Sequence, residues 1–434
     1  MSSSLSATKS SSIHWAIIGL GDVCTIKSGP AFYKCHHSNL VAVMRRTPGA
    51  ARQWVADNRN VIQQYNSDGE VEIRGYDNVH EMICENRDVL DAVYIATPPS
   101  AHLENVRQIL SALDTSTTTS TATTTSTTTT NSKQPSRLKA IYMEKPCGRS
   151  AWETRTIIEE LYHRHIQFIP AYVSRAHERT QVLIDLLQSQ KVIGERVQRV
   201  QYTQCGSSFA RGLDGTNGVP WRLRAECSGG GLVMDMGCHV LDRVDYLFGP
   251  VVDVRSAVLR KGGGGDVGGG ETESGYPLVE DYIEMKGRIG KSDWAVIPSE
   301  DAVVECLWDF SPPDQTSGKK KKEEVDELII TGTNGSLRMA GMGAGMPIEV
   351  LDANGNVIKT IEFEAPLHAA QPLIQSIVNE LHGVDSDEKY LVKSPARAEN
   401  AIRTSEVLDA ILNSYYGGRH DEFWTRPESW PGLK

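Results

Sequence analysis

The chain has 434 residues and a formal net charge of −10, with 39% hydrophobic and 23% charged side chains. That length predicts two domains plus insertions, and that composition predicts a globular core that needs neither disulfide nor metal. The acidic balance argues against a nucleic-acid partner, and no apolar run reaches membrane-spanning length, so no membrane partner is expected either.

The first residues, 1–12 (MSSSLSATKSSS), lack the apolar stretch of a secretory signal and read as a disordered tail. Strand and helix signals then alternate. Ile13–Gly19, Asn39–Met44, Asp91–Ala96 and Ala140–Met143 are apolar runs of strand length. Helical stretches lie between them, at Thr25–Cys35, Ala50–Asn58, Val79–Asn86 and Ala101–Leu113. This alternation predicts an α/β Rossmann-type parallel sheet over residues 13–146, with helices on both faces. Residues 114–137, nearly all Thr and Ser, interrupt it and read as a low-complexity surface loop.

Beyond residue 146 the pattern changes. Trp152–Arg164 and Arg179–Gln190 read as helices. Segments 196–204, 251–259, 302–310 and 326–333 alternate with period two, which predicts an antiparallel sheet. Residues 261–275 (Gly-rich) and 318–324 (GKKKKEE) read as solvated loops. Helices near Pro372–Leu381 and Pro395–Ser414 close the pattern. Residues 147–434 are thus expected to form an α+β domain on one large antiparallel sheet. The eight cysteines are scattered without a Cys-x-x-Cys pair, which argues against a zinc ribbon and reads as reduced thiols of a cytoplasmic protein.

Three motifs carry chemistry. Gly19-Leu20-Gly21-Asp22-Val23-Cys24 comes directly after the first strand and nearly fits the dinucleotide fingerprint G-x-G-x-x-G, with Cys24 at the third glycine. Gly19 permits the tight turn, Gly21 lets the backbone approach a pyrophosphate, and Asp22 and Val23 open the next helix. The second strand ends in Arg45-Arg46 with no acidic residue. An acid there would bind the ribose 2′-hydroxyl of NAD, whereas arginine suits a 2′-phosphate, so NADP is the expected cofactor and NAD stays possible.

The second motif is Glu144-Lys145-Pro146, which closes the last strand of the first half. Ligands of open α/β sheets sit at the carboxyl ends of strands, so Lys145 is placed to face the reacting centre. The third runs from Gly229 to Asp242 (GGGLVMDMGCHVLD). Helical spacing sets Asp235, His239 and Asp242 on one face. Such a stripe is read as a solvated face, as metal ligands, or as an acid/base pair in which His239 moves a proton and Asp235 orients it. The glycines ahead of it favour the last reading by making room for a ligand.

Together these motifs resemble the glucose–fructose oxidoreductase / inositol dehydrogenase / MocA family nearly end to end, outside the low-complexity insertions. The resemblance also covers Ala96-Thr97-Pro98-Pro99 with His102, Tyr172 with Arg175, Ile193-Gly194-Glu195 and Trp221-Arg222. It implies a catalytic trio of Lys145, Asp235 and His239. It implies that Thr97, Pro98, Pro99, His102 and Glu144 flank the cofactor, and that Tyr172, Arg175, Trp221 and Arg222 lie near a carbohydrate-like substrate. It further implies an oxidoreductase of sugars, polyols or diols whose second domain, residues 147–434, binds substrate and carries a large open antiparallel sheet through which the chain forms a homodimer or higher homo-oligomer. A trans-dihydrodiol or xylose dehydrogenase-like enzyme is the alternative within that chemistry. A nucleotide-binding regulator that has lost turnover is the alternative outside it.

Overall fold

The structure, a computed structural model, describes residues 12–21, 23–66, 72–115, 136–206, 219–261, 279–312, 323–420, 423–426 and 429–430. Asp22, the Thr/Ser tract from 116 to 135, and most of the expected tail, Gly-rich loop and Lys-rich run lie outside the described residues.

The first sheet holds β1 (Ile13–Ile18), β2 (Ser38–Met44), β3 (Arg74–Tyr76), β4 (Ala92–Ile95), β5 (Ala140–Met143) and β6 (Gln167–Pro170). All neighbours run parallel, in the order β3-β2-β1-β4-β5-β6. This is the doubly wound order of dinucleotide-binding folds. Its central strands are buried almost throughout because helices cover both faces, which is why they read as unbroken apolar runs. The sheet does not stop at residue 146 as expected. Helix Ala151–Tyr162 leads back into β6, an edge strand whose terminal Pro170 is tolerated because the outer side needs no ladder bond.

The helix expected over Thr25–Cys35 is also different. A π-helical turn, Val23–Ser28, gives way to Gly29-Pro30 and one short turn of α-helix, Ala31–Lys34. The Gly29 N–H donates to the Cys24 carbonyl at 2.6 Å, and Pro30 has no N–H to continue the ladder. The dipole of a long helix aimed at the glycine loop is therefore missing from this site.

The second sheet holds β7 (Val197–Cys205), β8 (Val251–Leu259), β9 (Tyr282–Ile289), β10 (Val303–Asp309), β11 (Val325–Gly332), β12 (Ser336–Ala340), β13 (Ile348–Leu351) and β14 (Val357–Ile361). Its order is β14-β13-β12-β11-β7-β10-β9-β8. It is not wholly antiparallel: β10 pairs with β7 in parallel, and the other pairs are antiparallel. A parallel pair requires a long crossover, and here the chain between β7 and β10 supplies it with helix Cys238–Phe248 and the β8–β9 pair.

The two halves are not packed as separate units. Helix Gln371–His382 lies against the first sheet, its Leu373, Ile374 and Ile377 joining Trp15, Phe32 and Tyr94 in one buried cluster. The His36 N–H donates to Gln375 Oε1 at 2.8 Å across the same contact. Among the described residues no helix is long and apolar enough to cross a membrane.

Candidate active site

A cavity of about 880 Å³ opens at the carboxyl ends of β1, β2, β3 and β4. Gly19 and Gly21, then Arg45 and Arg46, then Thr97 and Pro98 line it. Gly19 has φ +98°, and a Cβ there would stand 3.0 Å from the Ala96 backbone, so the turn accepts only glycine. A Cβ at Gly21 would meet nothing within 4 Å, so bare backbone faces the cavity there. This cradle fits the diphosphate of a dinucleotide. The exposed guanidinium groups of Arg45 and Arg46 stand on the β2 side of the same space. Asp77, after β3, also lines the cavity, but its carboxylate accepts the Gly49 N–H at 2.9 Å and Arg52 Nη2 at 2.5 Å.

A second cavity of about 510 Å³ shares Ala96, Thr97, Trp221 and Arg222 with the first. Lys145, Asp235 and His239 stand together on its wall, beside Glu144 and Pro99. The Lys145 ammonium donates to Asp235 Oδ1 at 2.6 Å and to the Asp235 carbonyl at 3.0 Å. Arg222 Nε lies 3.2 Å from Asp235 Oδ2, and its guanidinium stacks on Trp221. Burial works against the Lys145 charge, but Asp235, with Cys238 and Glu144, outweighs it and holds the ammonium above the usual lysine range. Burial likewise pushes Asp235 up, and Lys145 and Arg222 pull it below the usual carboxylate range. Burial, then the Lys145 charge, drive the His239 imidazole well below the usual histidine range. At neutral pH the wall therefore carries a fixed ammonium–carboxylate pair beside a neutral imidazole.

The segment bearing Asp235 and His239 is not one regular helix. Val233–Gly237 is a π-helical turn that continues into the α-helix Cys238–Phe248. A π turn carries one residue more than an α turn, so residues on its two sides are rotated by roughly 100° relative to one another. Asp235 and Asp242 consequently leave the common face that regular spacing predicts. Asp242 is fully buried and pairs with Arg175 at 2.6 Å. The glycines ahead of the segment do not open room for a ligand either. A Cβ on Gly229 would stand 2.3 Å from the Arg149 carbonyl, and one on Gly231 would stand 2.5 Å from the Glu280 backbone. They permit close packing of protein on protein.

Of the other expected site residues, His102 is buried and lines neither cavity. Its two ring nitrogens bond the carbonyls of Thr97 and Cys147, tying together the loops after β4 and β5. Tyr172 and Arg175 are 1% exposed and line neither cavity. Val23 belongs to the π turn after the glycine loop. Residues that the sequence reading missed include His177, Met342, Gly343, Ala344 and Ala369, all on the wall of the second cavity. The glycine-rich run Gly341-Met342-Gly343-Ala344-Gly345 between β12 and β13 was the one signal available for the loop among them.

Known proteins place this arrangement. A family model described as an oxidoreductase family with an NAD-binding Rossmann fold matches residues 13–113, and one for a GFO/IDH/MocA C-terminal domain matches residues 190–292. Oxidoreductase P35 of Formosa agariphila is 25% identical over 405 residues, spanning 93% of this chain and 99% of its own. In fold, the chain is similar to an aldose-aldose oxidoreductase from Caulobacter crescentus, complexed with glycerol. That TM-score is 0.63 at 18% identity, over 93% of this chain and 97% of the other. It is also similar to a super-repressor mutant of Gal80p from Saccharomyces cerevisiae. There the TM-score is 0.65 at 14% identity, over 93% and 96%. The sheet order, the glycine cradle and these matches define an NAD(P)-dependent oxidoreductase. More narrowly, two stretches of the chain match models of the GFO/IDH/MocA oxidoreductase family.

Proposed function

We propose that the chain is an NADP(H)-dependent oxidoreductase acting on a hydroxyl or carbonyl group of a sugar, polyol or related diol. The observation that carries this reading is the Lys145–Asp235 pair, with His239 beside it, on the wall of a cavity continuous with the nucleotide cleft. The bound nicotinamide supplies or accepts the hydride, and the protein positions the groups and moves a proton. Lysine has three N–H bonds. Two of those on Lys145 go to Asp235, which leaves one for the reacting oxygen. A hydrogen bond from an ammonium stabilises negative charge as it develops on that oxygen. Neutral His239 accepts the hydroxyl proton during oxidation and returns it during reduction. Asp235, itself held by Arg222, keeps the ammonium charged and oriented. Arg45 and Arg46 would take the 2′-phosphate of NADP.

The test is a screen of aldoses, polyols, xylose and a trans-dihydrodiol with NADP+ and NAD+, monitored by absorbance of the reduced cofactor. Turnover of at least one carbohydrate-like alcohol, faster with NADP+, is the expected result. The likeness in fold to a Gal80p super-repressor supports a second reading, a nucleotide-binding regulator. Tight NADP(H) binding without turnover on the whole panel would establish that second reading instead. We also propose self-association through the outer face of the second sheet, tested by sedimentation; a monomer at micromolar concentration would refute it.

A further inference from the structure

We infer that the substrate carries an anionic group, a carboxylate or a phosphate, and that the Lys27 ammonium binds it in the reaction cavity. This deepens the catalytic reading above and rests on it. Lys27 lines the second cavity and not the nucleotide cleft. It is exposed, one residue before the end of the π-helical turn Val23–Ser28.

The charges on the wall of that cavity do not balance. Three cations, Lys27, Lys145 and Arg222, stand against two carboxylates, Glu144 and Asp235. Asp235 serves two of the cations, Lys145 at 2.6 Å and Arg222 at 3.2 Å. Glu144 accepts the Tyr94 hydroxyl at 2.5 Å and the Lys145 backbone N–H at 3.3 Å. Burial holds the Glu144 carboxyl above its usual range, with Lys145 and Tyr94 opposing, so it supplies at most one negative charge. Among the described residues Lys27 pairs with no carboxylate. The two histidines of the wall, His177 and His239, are both held below the usual histidine range, chiefly by burial, and add no charge. The wall is therefore net positive at neutral pH. A cleft with an excess of one sign concentrates ligands of the other, and a neutral polyol leaves that excess unanswered. Lysine meets an anion as a point charge, which suits carboxylate and phosphate alike.

The backbone at Lys27 is anchored on both sides. Its neighbour Ser28 is buried, and Ser28 Oγ bonds the Tyr94 hydroxyl at 2.9 Å, the same hydroxyl that donates to Glu144. On the other side the Ile26 carbonyl accepts from His368 Nδ1 at 3.3 Å, and His368 Nε2 accepts from Lys34 Nζ at 3.1 Å. The first link ties the root of Lys27 to the residue before Lys145, and the second ties it to the loop before helix Gln371–His382. A cation whose root is fixed has less freedom to lose on binding than one on a free loop. Ser174, 6% exposed, lines the same cavity. Its backbone carbonyl accepts Thr180 Oγ1 at 2.6 Å and the His177 N–H at 3.3 Å, while its hydroxyl has no partner among the described residues. That hydroxyl is a neutral donor for an anion's oxygen.

The experiment pairs anionic with neutral sugars on the full-length protein: glucuronate with glucose, galacturonate with galactose, gluconate with glucitol, and glucose 6-phosphate with glucose. It reads kcat/KM with NADP+, and independently the heat of binding to the NADP+-loaded protein. In at least one pair the anion should be preferred about tenfold or more. Lys27→Ala should abolish that preference and Lys27→Arg should keep it, with NADP+ affinity unaltered in both. The pair in which the preference appears distinguishes carboxylate from phosphate. A preference below tenfold in every pair by both measurements overturns the inference. So does a preference that survives Lys27→Ala, or a loss of NADP+ affinity in that variant as large as its loss of preference. Turnover of the neutral sugars without an anion preference sinks it while leaving the catalytic reading intact. Anion-selective binding that depends on Lys27, without any turnover, upholds it and removes the catalytic reading.

Discussion

Two ion pairs stem from one helical segment, seven residues apart, and they have opposite characters. Arg175 and Asp242 are 1% and 0% exposed. All five N–H bonds of Arg175 are taken, by both Asp242 oxygens and its carbonyl, by Asn400 Oδ1 and by the Pro395 carbonyl. Lys145 and Asp235 are 15% and 16% exposed, and the ammonium keeps one N–H in hand. A saturated buried pair fixes where elements sit. A pair with residual exposure and a spare donor can act on a ligand. Polarity and spacing are the same in both; saturation is what separates architecture from chemistry.

That distinction breaks if the largest predicted effect fails. Lys145→Ala should lower kcat about 1000-fold, equivalent to ~4 kcal/mol, with an unchanged melting temperature and near-normal NADP(H) binding. Steady-state kinetics and cofactor titration measure it; near wild-type kcat removes Lys145 from the chemistry. Arg175→Ala should do the reverse. Stranding Asp242 in the core should cost roughly 3–5 kcal/mol in denaturant titration, with kcat of the folded fraction little changed. A tenfold loss of kcat at unchanged stability would return Arg175 to the substrate site.

Glu280 sharpens the architectural side. Its carboxylate accepts the Gly231 N–H at 2.8 and 2.9 Å and the Tyr416 hydroxyl at 2.5 Å, and burial raises its pKa to about 7. A raised carboxylate pKa means that the folded state binds the proton more tightly than the unfolded one. Its contribution to stability is complete below the ordinary glutamate pKa and is lost as pH rises through about 7. Wild type should therefore lose up to ~3 kcal/mol between pH 4.5 and 8 relative to Glu280→Gln. Parallel pH–stability curves for the two proteins would contradict this. The functional side has a similar test in the nucleotide cleft, where Arg45 and Arg46 are exposed and Arg175 is not. The double variant Arg45→Ala, Arg46→Ala should reduce the NADP-to-NAD ratio of kcat/KM about tenfold. A wild-type preference for NAD, or an unchanged ratio, would defeat the assignment.

The parts of the molecule that were legible in sequence are those governed by local pattern. Ala140–Met143, Val79–Asn86 and segment 251–259 form as their periodicity dictates. Arg74–Tyr76 and Gln167–Pro170 escaped notice because three or four residues carrying Arg, Gln or Pro produce no apolar run. The candidate active site was legible in Lys145, Asp235 and His239, which the structure brings to one wall. Asp242 was not separable from them, because a π turn leaves no periodicity signal and shifts which face a residue shares. Arg175 and Tyr172 resemble site residues in sequence, and only packing reveals that they are interior. Ala369 and Met342 reach the cavity from loops distant in the chain, a relation that spacing does not encode.

The helix Gln371–His382 has a consequence for biosynthesis. During synthesis, β1 to β6 leave the ribosome long before this helix exists, yet it covers the side of their sheet that holds Trp15, Phe32 and Tyr94. The hydrogen bond from His36 to Gln375 spans 339 positions of chain. Until residue 382 has been made, an aromatic surface stays open to water and to wrong partners, and closing it requires contacts of high sequence separation. The nucleotide-binding half is therefore not a module that can be cut at residue 146 and moved. A truncated or grafted version would carry its own unsatisfied apolar face into whatever it joined.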